Sequence, residues 1–169
     1  MFKKSLLALF VLAIPMLIGA QTLKFGYCNS QEIFKLMPDL SKVEDAMAKF
    51  NQDNAKYLQD METEIQKKSD ELQSKGDSLT PTMQQLKQKE LQDLYSRYQQ
   101  AGQALQTEGQ KKQQELLLPI QNKIKAAINA VGDKQGYLFI FDDATGALVY
   151  KSSKATDVTA LVKKELGIM

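Results

Sequence analysis

Between Asp39 and Glu115 the apolar residues are sparse but regularly spaced, and on either side the pattern changes abruptly. Val43, Phe50 and Tyr57 form one heptad row. Leu40, Met47 and Met61 form another, with Asn54 in its gap, and Leu58, Ile65, Leu72 and Leu79 form a third displaced by one residue. A displaced row means that the seam drifts around the helix, as an approximate 3.6-residue repeat requires, so no long strict coiled coil is predicted. Ser41 with Glu44 offers a capping box at the start. Gly76 is a natural terminator, and Thr80-Pro81 supplies an N-cap followed by proline at the first helical position. The second helix carries Met83, Leu86, Leu91, Leu94, Tyr95, Tyr98 and Leu105. The pattern predicts an antiparallel helical hairpin over residues 38–115 with its tip near residues 75–80.

If the chain reverses near residue 78, the apolar seam pairs with itself. Tyr57 then meets Tyr98, Met61 meets Tyr95, Ile65 meets Leu91, Leu72 meets Met83, Phe50 meets Leu105 and Leu40 meets Leu116. Arms of roughly 35 residues reach on the order of 50 Å, which is too long and thin for a globular core. Met47, Leu58, Leu79, Leu86 and Leu94 lie at the seam margins and are the candidate contacts for a partner. The row Gln52, Gln59, Gln66 and Gln73 reads as a solvated face. Gly102 and Gly109 interrupt the second helix, as close-packing positions or as points of bending.

The flanking segments read differently. Leu23–Cys28 is strand-like, and Asn29 with Glu32 caps a short helix through Met37 that Pro38 interrupts. From Leu116 the chain turns strongly apolar through Ile120, Ile124, Ile128 and Val131, with a kink or restart expected at Pro119. A turn over Gly132–Gly136, a strand at Tyr137–Phe141, a tight turn at Asp142–Gly146 and a second strand at Ala147–Tyr150 follow. A last helix has Thr156 as its cap and Gly167 as its terminator. Residues 21–37 and 116–169 thus form a small β-rich body, and the fold class is α+β, predominantly α. So small a body has a limited core, and oligomerisation is the expected compensation.

Lys3 and Lys4 precede an apolar run from Leu6 to Ile18 that ends in Gly19-Ala20. This is the layout of a secretory signal peptide over residues 1–20, cleaved after Ala20. Its loss removes two lysines and no acid, so 22 basic and 20 acidic residues become 20 of each. No net basic field remains to favour nucleic acid or an anionic membrane. There is no histidine, no tryptophan and a single cysteine, Cys28, so no intrachain disulfide can form. The commonest general base near neutral pH is missing, as is the commonest transition-metal ligand. Asp142-Asp143 reads as a turn rather than a metal site. No catalytic residue, no metal and no cofactor is expected, and the protein reads as a non-enzyme.

The ordered segments Phe25-Gly26-Tyr27-Cys28-Asn29-Ser30, Met37-Pro38, Leu117-Leu118-Pro119-Ile120, Tyr137–Asp142, Leu148-Val149-Tyr150 and Asp157-Val158-Thr159 resemble the Skp/OmpH family of periplasmic chaperones. The resemblance covers the whole mature chain. It implies a homotrimer whose helical hairpins hang from associated β-rich bodies around a central cavity. It further implies an ATP-independent holdase that keeps unfolded outer-membrane β-barrel proteins from aggregating in the periplasm. The family's best-known member is strongly basic and attracts acidic clients and lipopolysaccharide. Here residues 38–115 hold 11 basic and 14 acidic residues, so no lipopolysaccharide site is carried over and membrane contact is not expected. The alternative reading is a structural adaptor whose hairpin bridges cell-envelope components through its tip.

Overall fold

The computed structural model describes residues 23–169, so the expected signal peptide lies outside the described residues. The chain forms β1 (Phe25–Cys28), α1 (Ser30–Lys35), α2 (Asp39–Lys75), α3 (Pro81–Gln135), β2 (Phe139–Asp142), β3 (Thr156–Asp157) and α4 (Thr159–Leu166). Short 3-10 turns at Gly76–Ser78 and Asp143–Thr145 complete it. The fold is α+β and predominantly helical, as the sequence predicts. α2 has 37 residues and α3 has 55, so at 1.5 Å per residue they run for about 55 Å and about 80 Å.

Local chemistry explains most boundaries. The Asn29 side chain accepts from the Glu32 amide at 2.9 Å and starts α1. Thr80 caps α3 by accepting from the Met83 amide, and Pro81 fills the first turn, where a missing N–H costs nothing. Gly136 and Gly167 end α3 and α4 in left-handed conformations that suit glycine. The expected Ser41 cap does not form: α2 opens two residues earlier, at Asp39, behind Pro38 and without a side-chain cap. Nor is Thr156 a cap, since it lies in β3, while the Asp157 carboxylate accepts from the Thr159 amide at 2.8 Å.

Two further expectations are corrected. α3 runs unbroken through Pro119 and through the expected turn at Gly132. Pro119 is exposed, so water can serve the carbonyl that its missing N–H leaves free. Ala147–Tyr150 is not a strand of this sheet, whose order is β2-β1-β3 with both pairings parallel. Phe25 registers with Phe139 and Tyr27 with Phe141, so an entire helical excursion separates two neighbouring strands.

The core lies where the inner end of α3 crosses the sheet. Ile120, Ile124, Ala127 and Val131 recur at helical spacing and pack with Cys28, Ile33, Met37, Val158 and Val162. Gly26 is required there, because an added Cβ would lie 3.1 Å from the Tyr137 ring and 3.3 Å from Val158. By contrast, a Cβ at Gly102 would meet nothing within 4 Å. We therefore expect Gly102→Ala to raise stability by about 1 kcal/mol through helix propensity alone. Ile120→Ala should lower it by about 2–5 kcal/mol through a core cavity. Denaturant titration followed by circular dichroism checks both; a destabilising Gly102→Ala would show that the glycine has a packing role.

Candidate functional site

The sheltered positions of α2 recur as Val43, Asn54 and Ile65; Met47, Leu58 and Ser69; and Phe50, Met61 and Leu72. These are eleven-residue rows; the expected heptad rows Leu40, Met47, Asn54, Met61 and Leu58, Ile65, Leu72, Leu79 are sheltered as well, and only Tyr57 leaves its expected row. At 3.67 residues per turn such a seam nearly follows an untwisted helix, so the two helices can run side by side with little supercoil. Ile65 is the one fully buried residue among these rows. On α3 the matching half-buried positions include Leu91, Leu94, Tyr98 and Leu105.

The eleven-residue period redistributes the expected roles. After Asn54 the stripe advances four residues to Leu58, not three to Tyr57, so Tyr57 is 52% exposed. Met83 and Tyr95, also expected in the seam, are exposed. Phe50, Met61, Ile65, Leu72, Leu91, Tyr98 and Leu105 do lie on the sheltered stripes. Of the expected margin residues, Met47, Leu58, Leu79 and Leu94 are half-buried, and Leu86 alone is exposed. The large exposed apolar side chains of the arm are thus Tyr57, Tyr95 and the pair Met83 and Leu86, which are neighbours three residues apart on α3. The row Gln52, Gln59, Gln66 and Gln73 is exposed.

The register also moves. The connection between Lys75 at the end of α2 and Pro81 at the start of α3 is centred on residue 78, as expected, but the facing residues are displaced by two or three positions. A Cβ at Gly109 would lie 3.5 Å from the Phe50 ring, which puts Phe50 against Gly109 one turn beyond Leu105. Lys68 lies 3.7 Å from Glu90 across the hairpin, and Lys123 pairs with Asp39 at its base. Hydrogen bonds from Lys123 and Lys42 hold the Asp39 carboxyl below its ordinary pKa.

The body offers two further surfaces. One face of the sheet turns Gly26 and Cys28 to the core. The other carries Phe25, Tyr27, Phe139 and Phe141, of which the three phenylalanines are exposed. Phe25 stacks on Phe139 with ring centroids 6.1 Å apart, and Lys151 sits 4.1 Å above the Tyr27 ring. Lys151 also donates to Asp143 at 2.6 Å, which raises the lysine's pKa. Between α1 and α3 a groove of about 470 Å³ is floored by Phe34, Ile124 and Ile128. Asp142 at its rim is occupied, accepting from the Ser30 amide, the Ser30 hydroxyl and the Ala144 amide.

Among the described residues no three His, Cys, Asp or Glu side chains are placed to hold a metal ion, and no described helix is long and apolar enough to cross a membrane. Cys28 is buried, and burial, with Asp142 and Asp157 nearby, pushes its thiol up to about 11. The charge is divided along the chain. Residues 38–115 carry an excess of three acids, so the rest of the sequence from residue 21 onward, with 9 basic and 6 acidic residues, carries an excess of three bases. The arms are therefore mildly acidic and the body mildly basic.

Residues 24–166 match the model of a family described as outer membrane protein (OmpH-like). No curated protein matches the chain significantly. Among solved structures the fold is similar to one described as a proposed outer membrane chaperone (OmpH-like) from Caulobacter crescentus CB15. That likeness has a TM-score of 0.68 at 18% identity and covers 86% of this chain and 83% of the other.

The environment of Cys28 gives a direct check. A thiol with its pKa near 11 has only about one part in a thousand as thiolate at pH 8, so a thiol reagent should leave the folded protein unlabelled and react on unfolding. Because the folded value lies above the ordinary value of 9.0, stability from this group is intact below about pH 9 and is lost as pH rises towards 11. Cys28→Ala should remove that part of the alkaline loss in a denaturation series; rapid labelling of the native protein would contradict the burial.

Proposed function

The chain belongs to the OmpH-like family of outer membrane proteins, and from that membership we propose that it is an ATP-independent periplasmic holdase for unfolded outer-membrane β-barrel proteins. The observation that carries this reading is the arm itself. Two long helices shelter most of their large apolar residues along one stripe and leave only Tyr57, Tyr95 and the pair Met83 and Leu86 exposed. Such residues cannot form a specific pocket. They can each touch a passing unfolded segment, and a contact of this size contributes little alone. Retention then comes from several arms acting on one chain, where effective concentration multiplies weak contacts. A client held in this way can leave without ATP.

Self-association is part of the proposal. The aromatic outer face of the sheet is a contiguous apolar surface on a body with a small core, and covering it with further copies would both stabilise the body and gather the arms. The family resemblance favours three copies. Steering by charge is weak, since the arm carries an excess of only three acids over its length. The arm tip supports no adaptor role: Gly76–Ser78 is polar, Leu79 is half-buried, and the Gln84 side chain closes the turn on the Gly76 carbonyl.

Two measurements test this reading. The purified assembly should suppress aggregation of an unfolded outer-membrane barrel protein at one assembly per client, without nucleotide; no suppression at that ratio would sink the proposal. Joint replacement of Tyr57, Leu86 and Tyr95 by serine should weaken client affinity by about three- to tenfold while preserving helix content. Exchanging Gly76–Leu79 for a short Gly/Ser loop should leave client holding unchanged, whereas an adaptor would lose its partner.

A further inference from the structure

The two sides of the arm are built from different chemistry. On α3, the exposed positions that directly follow a sheltered one recur every three or four residues between Gln85 and Gln113. Eight of these nine positions are glutamine, and the ninth is Tyr95. The stripe runs for about 40 Å along the helix. On α2, Gln59, Gln66 and Gln73 likewise follow the sheltered Leu58, Ile65 and Leu72. In an antiparallel pair of helices, residues that follow the seam lie on one side of both, and residues that precede it lie on the other. The second set displays this rule directly. Lys68 and Glu90, which precede Ser69 and Leu91, meet at 3.7 Å, and Glu64, Asp93 and Arg97 line the same cleft. The glutamines of both helices therefore share the opposite side.

Helix formation does not account for this stripe. Glutamate, lysine and glutamine have nearly equal helix propensity, and opposite charges four residues apart add support that glutamine lacks. The side of Lys68 and Glu90 uses that support, as in Lys111–Glu115. The glutamine side forgoes it. Its charges alongside the stripe are Glu62 and Asp70 of α2, and Gln66 donates to Asp70 at 2.8 Å. Among the described residues, none of the eight glutamine side chains of the α3 stripe makes a hydrogen bond, whereas Gln84 and Gln100, which lie off it, do. Each of the eight thus presents two N–H donors and a carbonyl acceptor at the surface.

We propose that this side of the arm binds the main chain of the unfolded client, its side-chain amides pairing with the client's peptide groups. The inference rests on the holdase reading above and specifies the chemistry of the contact. A primary amide carries the same kinds of donor and acceptor as a peptide group, so it can bond along an extended chain whatever the side chains are. A nearly neutral face neither attracts nor repels acidic or basic segments, and a row without lysine gives a phosphate-bearing surface no cation to bind. Each bond replaces bonds to water and is weak alone, so a long row succeeds where a short one fails. Tyr95 adds one apolar contact within the row. When the client pairs its own strands, its N–H and C=O groups are withdrawn from the arm, and folding itself competes the client off.

The test reads the affinity of the purified assembly for an unfolded outer-membrane barrel protein. The variant Gln92→Ala/Gln99→Ala/Gln106→Ala/Gln113→Ala removes four amides from exposed positions and leaves the best helix former in their place. It should keep its helix content and assembly mass and bind the client about tenfold or more weakly; asparagine at the same positions, which keeps the amide, should restore most of the affinity. With the unaltered assembly, raising salt from about 0.05 M to about 0.5 M should change the affinity by less than about threefold. A competing peptide from the same barrel protein, methylated on alternate main-chain nitrogens, should displace the client at least about tenfold less well than the unmethylated peptide. An alanine variant that binds at full strength, or a methylated peptide that competes equally, would overturn main-chain recognition and leave the holdase standing. A steep loss of affinity with salt would assign the client to the charged side, and a changed assembly mass in the alanine variant would assign the glutamine row to a second copy; each outcome overturns the inference. An unaltered assembly that holds no client would overturn the holdase reading itself. Should the alanine variant fail to fold, the two peptides on the unaltered protein still decide the matter.

Discussion

The structure depends on the inner third of α3. Ile120, Ile124, Ala127 and Val131 are at once the end of a helix about 80 Å long and the floor of the body's core. β1, α1 and α4 pack on that stretch, and Gly26 has no side chain so that Tyr137 and Val158 can close over it. The arm is therefore not tethered to the body by a flexible linker. Pro119 lies near the junction without breaking it, because its ring faces solvent. Any tilt of the arm has to be expressed as a movement of core side chains or as bending within the helix, and both are costly near Ile120. Farther out, around Gly102, the helix has neither core contacts nor a side chain to hold, and bending is cheapest there.

That arrangement separates stability from adaptability. The parallel pairing of β1 with β2 closes a loop containing the entire hairpin, and the entropic cost of such a closure rises only slowly with length. The body carries this cost with ten or so buried side chains, the ion pairs Lys163–Glu32 and Lys134–Glu165, and the Asn29–Thr159 and Ser30–Asp142 links between the strand ends and the helices. The exposed ion pairs are weak contributors, and the apolar contacts supply most of the stability. The arm buries one thin stripe and needs to be only stable enough to stay helical.

Much of this was legible in the sequence where a local rule sufficed. Asn29 with Glu32, Thr80 with Pro81, and Gly167 after α4 are caps whose chemistry acts within a few residues, and the structure uses each of them, whereas Gly76 follows α2 in a right-handed conformation that does not need glycine. The seam was harder to read. Tyr57 and Leu58 are both apolar in bulk, and choosing between them means distinguishing a seven-residue from an eleven-residue repeat over the whole arm. The heptad rows through Met47 and through Ile65 are sheltered as read, and only the step from Phe50 to Tyr57 fails, where the stripe passes to Leu58. The sheet was harder still. Thr156–Asp157 is too short to carry a strand signal, and Ala147–Tyr150 carries a strong one that its own sheet does not use.

The division of apolar surface also limits how the protein can act. A holdase that offered one large greasy patch would hold tightly and release slowly, and it would invite its own aggregation. Here two groups among the large exposed apolar side chains differ in arrangement. Those on the sheet are contiguous, Phe25 stacked on Phe139 and Phe139 near Phe141, and are the surface that further copies would cover under the proposed self-association. Those on the arm, Tyr57, Tyr95 and the pair Met83 and Leu86, are small patches set among glutamines, lysines and acids, which suits the transient contacts proposed above. On the proposed holdase reading, binding energy on the arms would grow with the length of unfolded chain enclosed and fall as the client leaves or folds, so that release would need neither a conformational switch nor a nucleotide.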